Sequence, residues 1–113
     1  MIKKILLIFM QYMNAKTHKL RKYSNYVQAQ RMAYKYLGKT AKIYPSDKKD
    51  KKYKIYDPKN KKWVNFGQIG YEDYTKHKDK KRRHNYLTRS RSIKGNWKKN
   101  KYSPNNLSIH ILW

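Results

Sequence analysis

Twelve lysines and arginines crowd the stretch Lys76–Lys101, with Asp79 the one acid among them. Side chains of this kind at this density suit neutralisation of phosphates. Each phosphate met on duplex DNA makes binding more salt-sensitive, and ten of them would give a log–log salt slope of about −9. The candidate contacts are Lys80, Lys81, Arg82, Arg83, Arg89 and Arg91, extended by Lys98, Lys99 and Lys101. On a helix opening at Lys80, successive side chains diverge by about 100°, so the charges wrap it rather than forming one stripe. Arg82 and Arg89, with Asn85 and Asn96, can share a face. The plainer reading is a solvated surface, yet mixed signs would serve solubility alone. Phosphate contacts position a protein without reading bases, so little sequence preference is expected. Lys78–Arg83, KDKKRR, also has the make-up of a nuclear import signal, although such clusters arise by chance in any lysine-rich chain.

A second chemistry is stacking. Tyr53–Asp57 and Lys62–Phe66 alternate as two strands joined by Asp57-Pro58-Lys59-Asn60, which has turn chemistry. Tyr53, Ile55, Val64 and Phe66 then share an apolar face, and Lys54, Tyr56, Trp63 and Asn65 share the other. Tyr56 and Trp63 among cations have the features of a base-stacking platform. The alternative is that a helix or a partner protein covers them.

Catalytic signatures are missing. The histidines, His18, His77, His84 and His110, show no zinc-binding spacing. The single glutamate, Glu72, lies beside Asp73 without partners for acid–base work. No phosphate-cradling glycine loop occurs, and no cysteine. No enzyme activity, metal, cofactor or small-molecule substrate is expected.

Thirty Lys and Arg against six Asp and Glu give +24 on 113 residues. Charge this one-sided speaks for an anionic partner, not for a fold. Twelve Tyr, three Trp and two Phe supply a small core, unlike a disordered basic tail. The elements that must hold the cations follow from pattern. Lys22–Leu37 has helical periodicity ended by Gly38 in a left-handed C′ role. Ala41–Tyr44 reads as a short strand stopped by Pro45. Asp79 is an N-cap for a helix over about 80–91, attached by Tyr86 and Leu87. Ser103-Pro104 opens a last helix to about Leu112, whose apolar residues should dock on the hairpin, and Trp97 should anchor the loop before it. The expected fold is α+β: a two- or three-stranded antiparallel sheet with two or three short helices at 38–113, preceded by a basic helical segment at 13–37. Residues 1–12 open like a signal peptide, but Ile5–Met10 is too short to span a bilayer. An upstream extension before a start at Met13 fits them, as does a weak hydrophobic segment; no membrane partner is expected.

The motifs KYKIYDPKNKKW (52–63), GYEDYTKHKD (70–79), KKRRHNYLTR (80–89), IKGNW (93–97) and YSPNNLSIHILW (102–113) occur in this order. Over roughly 36–113 the chain resembles a family of small basic proteins encoded by large double-stranded DNA viruses of algae and protists. The resemblance implies a viral setting: a virion or core protein, present in the host nucleus or a cytoplasmic virus factory during infection. Joined to the charge, it gives the expectation of sequence-independent binding of nucleic acid, DNA rather than RNA, for genome packaging or condensation. The alternative is a minor capsid or core protein whose aromatic hairpin and Ile109–Trp113 hold other virion proteins together.

Overall fold

The computed structural model describes residues 2–113. Its elements run α1 (Ile2–Leu20), α2 (Tyr26–Leu37), β1 (Ile43–Pro45), β2 (Lys51–Asp57), β3 (Lys62–Gln68), α3 (Tyr74–His77), α4 (Lys80–Arg91), a 3-10 turn (Asn96–Lys99) and α5 (Pro104–Leu107). The last helix continues as a π-helical turn over Ser108–Leu112. This is an α+β fold on a three-stranded antiparallel sheet of order β1-β2-β3.

The hairpin register pairs Tyr53 with Phe66, Ile55 with Val64 and Tyr56 with Trp63. Period-two alternation therefore buries Tyr53, Ile55, Val64 and Phe66 together. Ala29 and Ala33 of α2 pack on this face with Leu107, Ile111 and Leu112. The small alanines let the helix backbone approach, and the apolar C-terminal helix packs between α2 and β3. Ile109, Ile111 and Leu112 are inside, so they belong to the fold and do not offer a surface to virion proteins.

Several boundaries move. The basic segment expected to be helical over 13–37 holds parts of two helices, and the helix expected from Lys22 begins at Tyr26. Leu20 ends α1, and α2 begins only after Asn25, whose side chain accepts from Gln28 N–H at 3.2 Å. Asn25 N–H itself donates to Thr75 Oγ1 at 2.9 Å, so a distant residue fixes the break. Residues 13–20, within the expected basic helical segment, are helical as the last part of α1. Gly38 ends α2 at φ 110°, ψ 176°, an extended left-handed region that is essentially glycine-only, rather than the left-handed helical C′ expected. Strand β1 starts at Ile43 rather than Ala41 and ends on Pro45 itself, since an edge strand tolerates the missing N–H.

A buried ion pair joins these layers to α3. Lys52 Nζ lies 3.1 Å from Asp73 Oδ2, and both are almost completely buried. The ammonium also donates to Tyr71 O at 2.6 Å and Tyr23 O at 3.4 Å. Thr75 Oγ1 donates to the other carboxylate oxygen and meets Ser24 Oγ. Burial holds the Lys52 ammonium below its ordinary pKa, against the pull of Asp73. Strand β2, the α1–α2 turn and α3 thus share one polar network.

Candidate nucleic-acid interface

Helix α4 is built from its cap outward. Lys78 takes a left-handed conformation, φ 58°, which turns the chain out of α3. Asp79 Oδ1 then accepts from Lys81 N–H (2.9 Å) and Arg82 N–H (3.1 Å), and those bonds hold its carboxyl below the usual range. His77 Nδ1 accepts from Asp79 N–H at 2.9 Å. Along α4 only Leu87 and Ser90 are buried. Tyr86 stacks on Trp113 with ring centroids 4.1 Å apart and planes at 9°. Asn105 Nδ2 donates to Ser90 O at 3.0 Å. The helix is held by this narrow stripe, which leaves Lys80, Lys81, Arg82, Arg89 and Arg91 exposed.

Arg83 differs from the other candidates. Its Nε donates to Trp113 O at 2.6 Å, and its guanidinium lies 5.4 Å from the Tyr74 ring. It ties the C-terminus to α4 and serves the fold before any ligand. Arg82 stands 3.6 Å from Glu72 with both side chains substantially exposed, a pairing worth little in water.

The second group of cations sits on a loop held from inside. The buried Asn106 uses Nδ2 to donate to the carbonyls of Trp97 (3.0 Å), Lys98 (3.3 Å) and Asn100 (2.9 Å). Trp97 Nε1 donates to Ile93 O at 2.7 Å, so Trp97 anchors the loop by bonding within it. Lys98, Lys99 and Lys101 project outward, with Lys98 Nζ 5.5 Å from the Trp97 ring and Lys101 Nζ 5.4 Å from that of Tyr36. Pattern reading missed Asn106. Its only signal was an amide in the first turn after Ser103-Pro104.

Between α4 and the β3–α5 layer lies a groove of about 820 Å³. Phe66 and Leu112 contribute to its lining, Arg82, Asn85 and Arg89 come from α4, and Trp97 from the loop. The shared face of Arg82, Asn85 and Arg89 is therefore real, whereas Asn96 lies outside it in the 3-10 turn. Lys80, Lys81, Arg91, Lys98, Lys99 and Lys101 do not line the groove and are exposed elsewhere.

The second hairpin face is open. Tyr56 and Trp63 are 43% and 49% exposed, so among the described residues no helix covers them. Trp63 meets Tyr44 and Tyr56 edge to face, at 5.8 and 5.5 Å between centroids. Lys54 Nζ lies 4.9 Å from the Trp63 ring. Lys42, Pro58 and Tyr102 complete a cleft of about 200 Å³ beside them.

The acids explain the sign of the surface. Asp57 and Asp73 are fully buried. Asp57 caps its turn through Lys59 N–H, Asn60 N–H and Asn60 Nδ2, and Asp79 caps α4. Half of the carboxylates are thus committed to the fold. Among the lysines and arginines of the described residues only Lys16 and Lys52 are buried. Among the described residues no group of three His, Cys, Asp or Glu could hold a metal ion.

Residues 41–90 match the model of a family of unknown function (DUF5754). That stretch takes in the sheet, the buried ion pair and most of α4. No curated protein and no solved structure matches the chain.

Proposed function

We propose that this protein binds nucleic acid through its phosphates, without sequence preference and with DNA as the main partner, to package or condense a viral genome in the virion. The observation that carries the reading is the run from Lys80 to Lys101: ten Lys and Arg, no acid, and every one of the ten exposed. Lys80, Lys81, Arg89 and Arg91 on α4 and Lys98, Lys99 and Lys101 on the loop are the phosphate contacts. Arg82 contributes from the groove wall, and Arg83 holds the surface together. The viral setting comes from the sequence resemblance, and the host nucleus or a cytoplasmic virus factory is where binding would begin.

Unpaired bases have a place in this reading. The exposed rings of Tyr56 and Trp63 offer π-faces beside Lys54 and Lys42, and stacking on such rings contributes about 1–3 kcal/mol per base. A role as a minor capsid or core protein keeps one supporting observation, since the same aromatic face can instead seat a virion protein.

Titration of a fluorescent duplex of random sequence at several salt concentrations tests the proposal. Binding should weaken steeply with salt, with a slope set by the phosphates met, and should barely change between sequences. An absence of duplex binding at low salt, together with tight association to a virion protein, would favour the alternative.

A further inference from the structure

Ile2, and beyond Lys3 and Lys4 every residue from Ile5 to Met10, is apolar and 54–76% exposed. A monomeric protein rarely leaves so continuous an apolar surface in water without a use for it. At about 100° per residue, Ile2, Ile5, Leu6, Phe9 and Met13 lie on one face of α1; Lys3, Lys4 and Gln11 lie on the other with Leu7 among them, and Ile8 and Met10 lie at the borders. The same stripe continues to Lys16 and Leu20, the two buried residues of the helix. Tyr12, whose hydroxyl donates to Asp47 O at 3.3 Å, marks where the domain begins to cover α1. The stripe that docks the helix on the domain therefore runs beyond the domain by about 15 Å.

Charge selects the occupant. No acid precedes Asp47, whereas ten Lys and Arg do, Lys3 and Lys4 among them. A second copy carries the same +24, so pairing two such faces brings like charges together. Nucleic acid would satisfy the lysines and leave the apolar side chains wet. An anionic bilayer meets both needs, with hydrocarbon for the face and headgroups for the lysines. Among the described residues no helix is long and apolar enough to cross a membrane, so the seat is the interface. We propose that the exposed part of α1 lies in the surface of an anionic lipid bilayer, with Ile2, Ile5, Leu6 and Phe9 in the acyl boundary and Lys3 and Lys4 among the headgroups. This stands apart from the nucleic-acid reading, and it departs from the expectation of no membrane partner because sequence pattern alone does not reveal that the face is uncovered.

The test uses the full chain. The protein has no cysteine, so Phe9→Cys accepts one environment-sensitive fluorophore. Vesicles of phosphatidylcholine, with and without phosphatidylglycerol, serve as probes. The expected result is flotation with the anionic vesicles only, a blue shift of the label, and its quenching by lipid-borne spin labels. In unlabelled protein, Ile5→Ser with Leu6→Ser should weaken this binding at least about tenfold and leave duplex binding and far-UV circular dichroism unchanged. Binding that survives the serine pair with no label shift is charge alone and overturns the proposal, as does equal binding to neutral vesicles or none at all. A label shift without lipid, with dimers that vanish in the serine pair, assigns the face to a second copy and also overturns it.

Discussion

Lys52→Met removes the cation from the polar network that joins β2, α3 and the α1–α2 turn. The Lys52 stem is buried, so methionine fills most of its volume and little cavity forms. The loss is electrostatic: Asp73, with no exposed surface, keeps only the Thr75 hydroxyl as a side-chain donor, and the carbonyl of Tyr71 loses its short partner. Breaking one side of a buried pair costs about 3–5 kcal/mol, a large share of the roughly 5–15 kcal/mol that holds a domain together. For a chain of this size the melting temperature should fall by roughly 10–20 °C. Urea titration followed by tryptophan fluorescence measures it. Replacing both partners, Lys52→Met with Asp73→Leu, should restore much of the loss, because no unpaired charge then remains. A single variant within about 1 kcal/mol of wild type, or a double variant that is additive, would refute the claim that the pair is buried and coupled.

Three shorter tests address other parts of the structure. Gly67→Ala places a Cβ 2.8 Å from Leu112 Cδ1 and 3.0 Å from Lys52 Cβ at φ 80°; it should destabilise by about 1–3 kcal/mol in the same urea assay. His77 has its pKa lowered by burial and then by Arg82, and its Nδ1 must stay unprotonated to accept from Asp79 N–H. The unfolded chain therefore binds more protons between the depressed value and the ordinary 6.5, so stability should rise with pH through that window, with the full cost present below it. His110, also lowered, first by burial and then by Arg91, adds in the same direction, and melts of His77→Gln should show a shallower rise. Trp63→Ala should leave stability nearly unchanged, since the ring is half exposed, and should weaken single-strand binding by about 1–3 kcal/mol while sparing the duplex; equal loss on both would dismiss stacking.

How much of this was legible in the sequence depended on whether the controlling contact was local. The hairpin, its apolar face, the Asp79 cap and the Ser103-Pro104 helix start all rest on neighbours within a few residues, and each stands where the pattern put it. The split between α1 and α2 rests on Asn25 meeting Thr75 fifty residues away, which no window of periodicity contains. The Lys52–Asp73 pair was equally hidden, because one cation among thirty Lys and Arg carries no mark of burial. The groove face of Arg82, Asn85 and Arg89 was readable from helical spacing. Diversion of Arg83 to the Trp113 carbonyl was not, since it depends on where the chain end returns. Exposure of the Tyr56 and Trp63 rings was left between open and covered, and the layer order of the helices decided it.

The central claim is that the surface of α4 and the following loop, rather than total charge, meets phosphate. Two variants of equal net charge separate these. One changes Lys80, Lys81, Arg89 and Arg91 to glutamine; the other changes Lys39, Lys48, Lys49 and Lys59, all exposed and elsewhere. The slope of log K against log salt on a random duplex should lose about 3–4 in the first and less than about 1 in the second. Equal losses in the two variants would contradict the account.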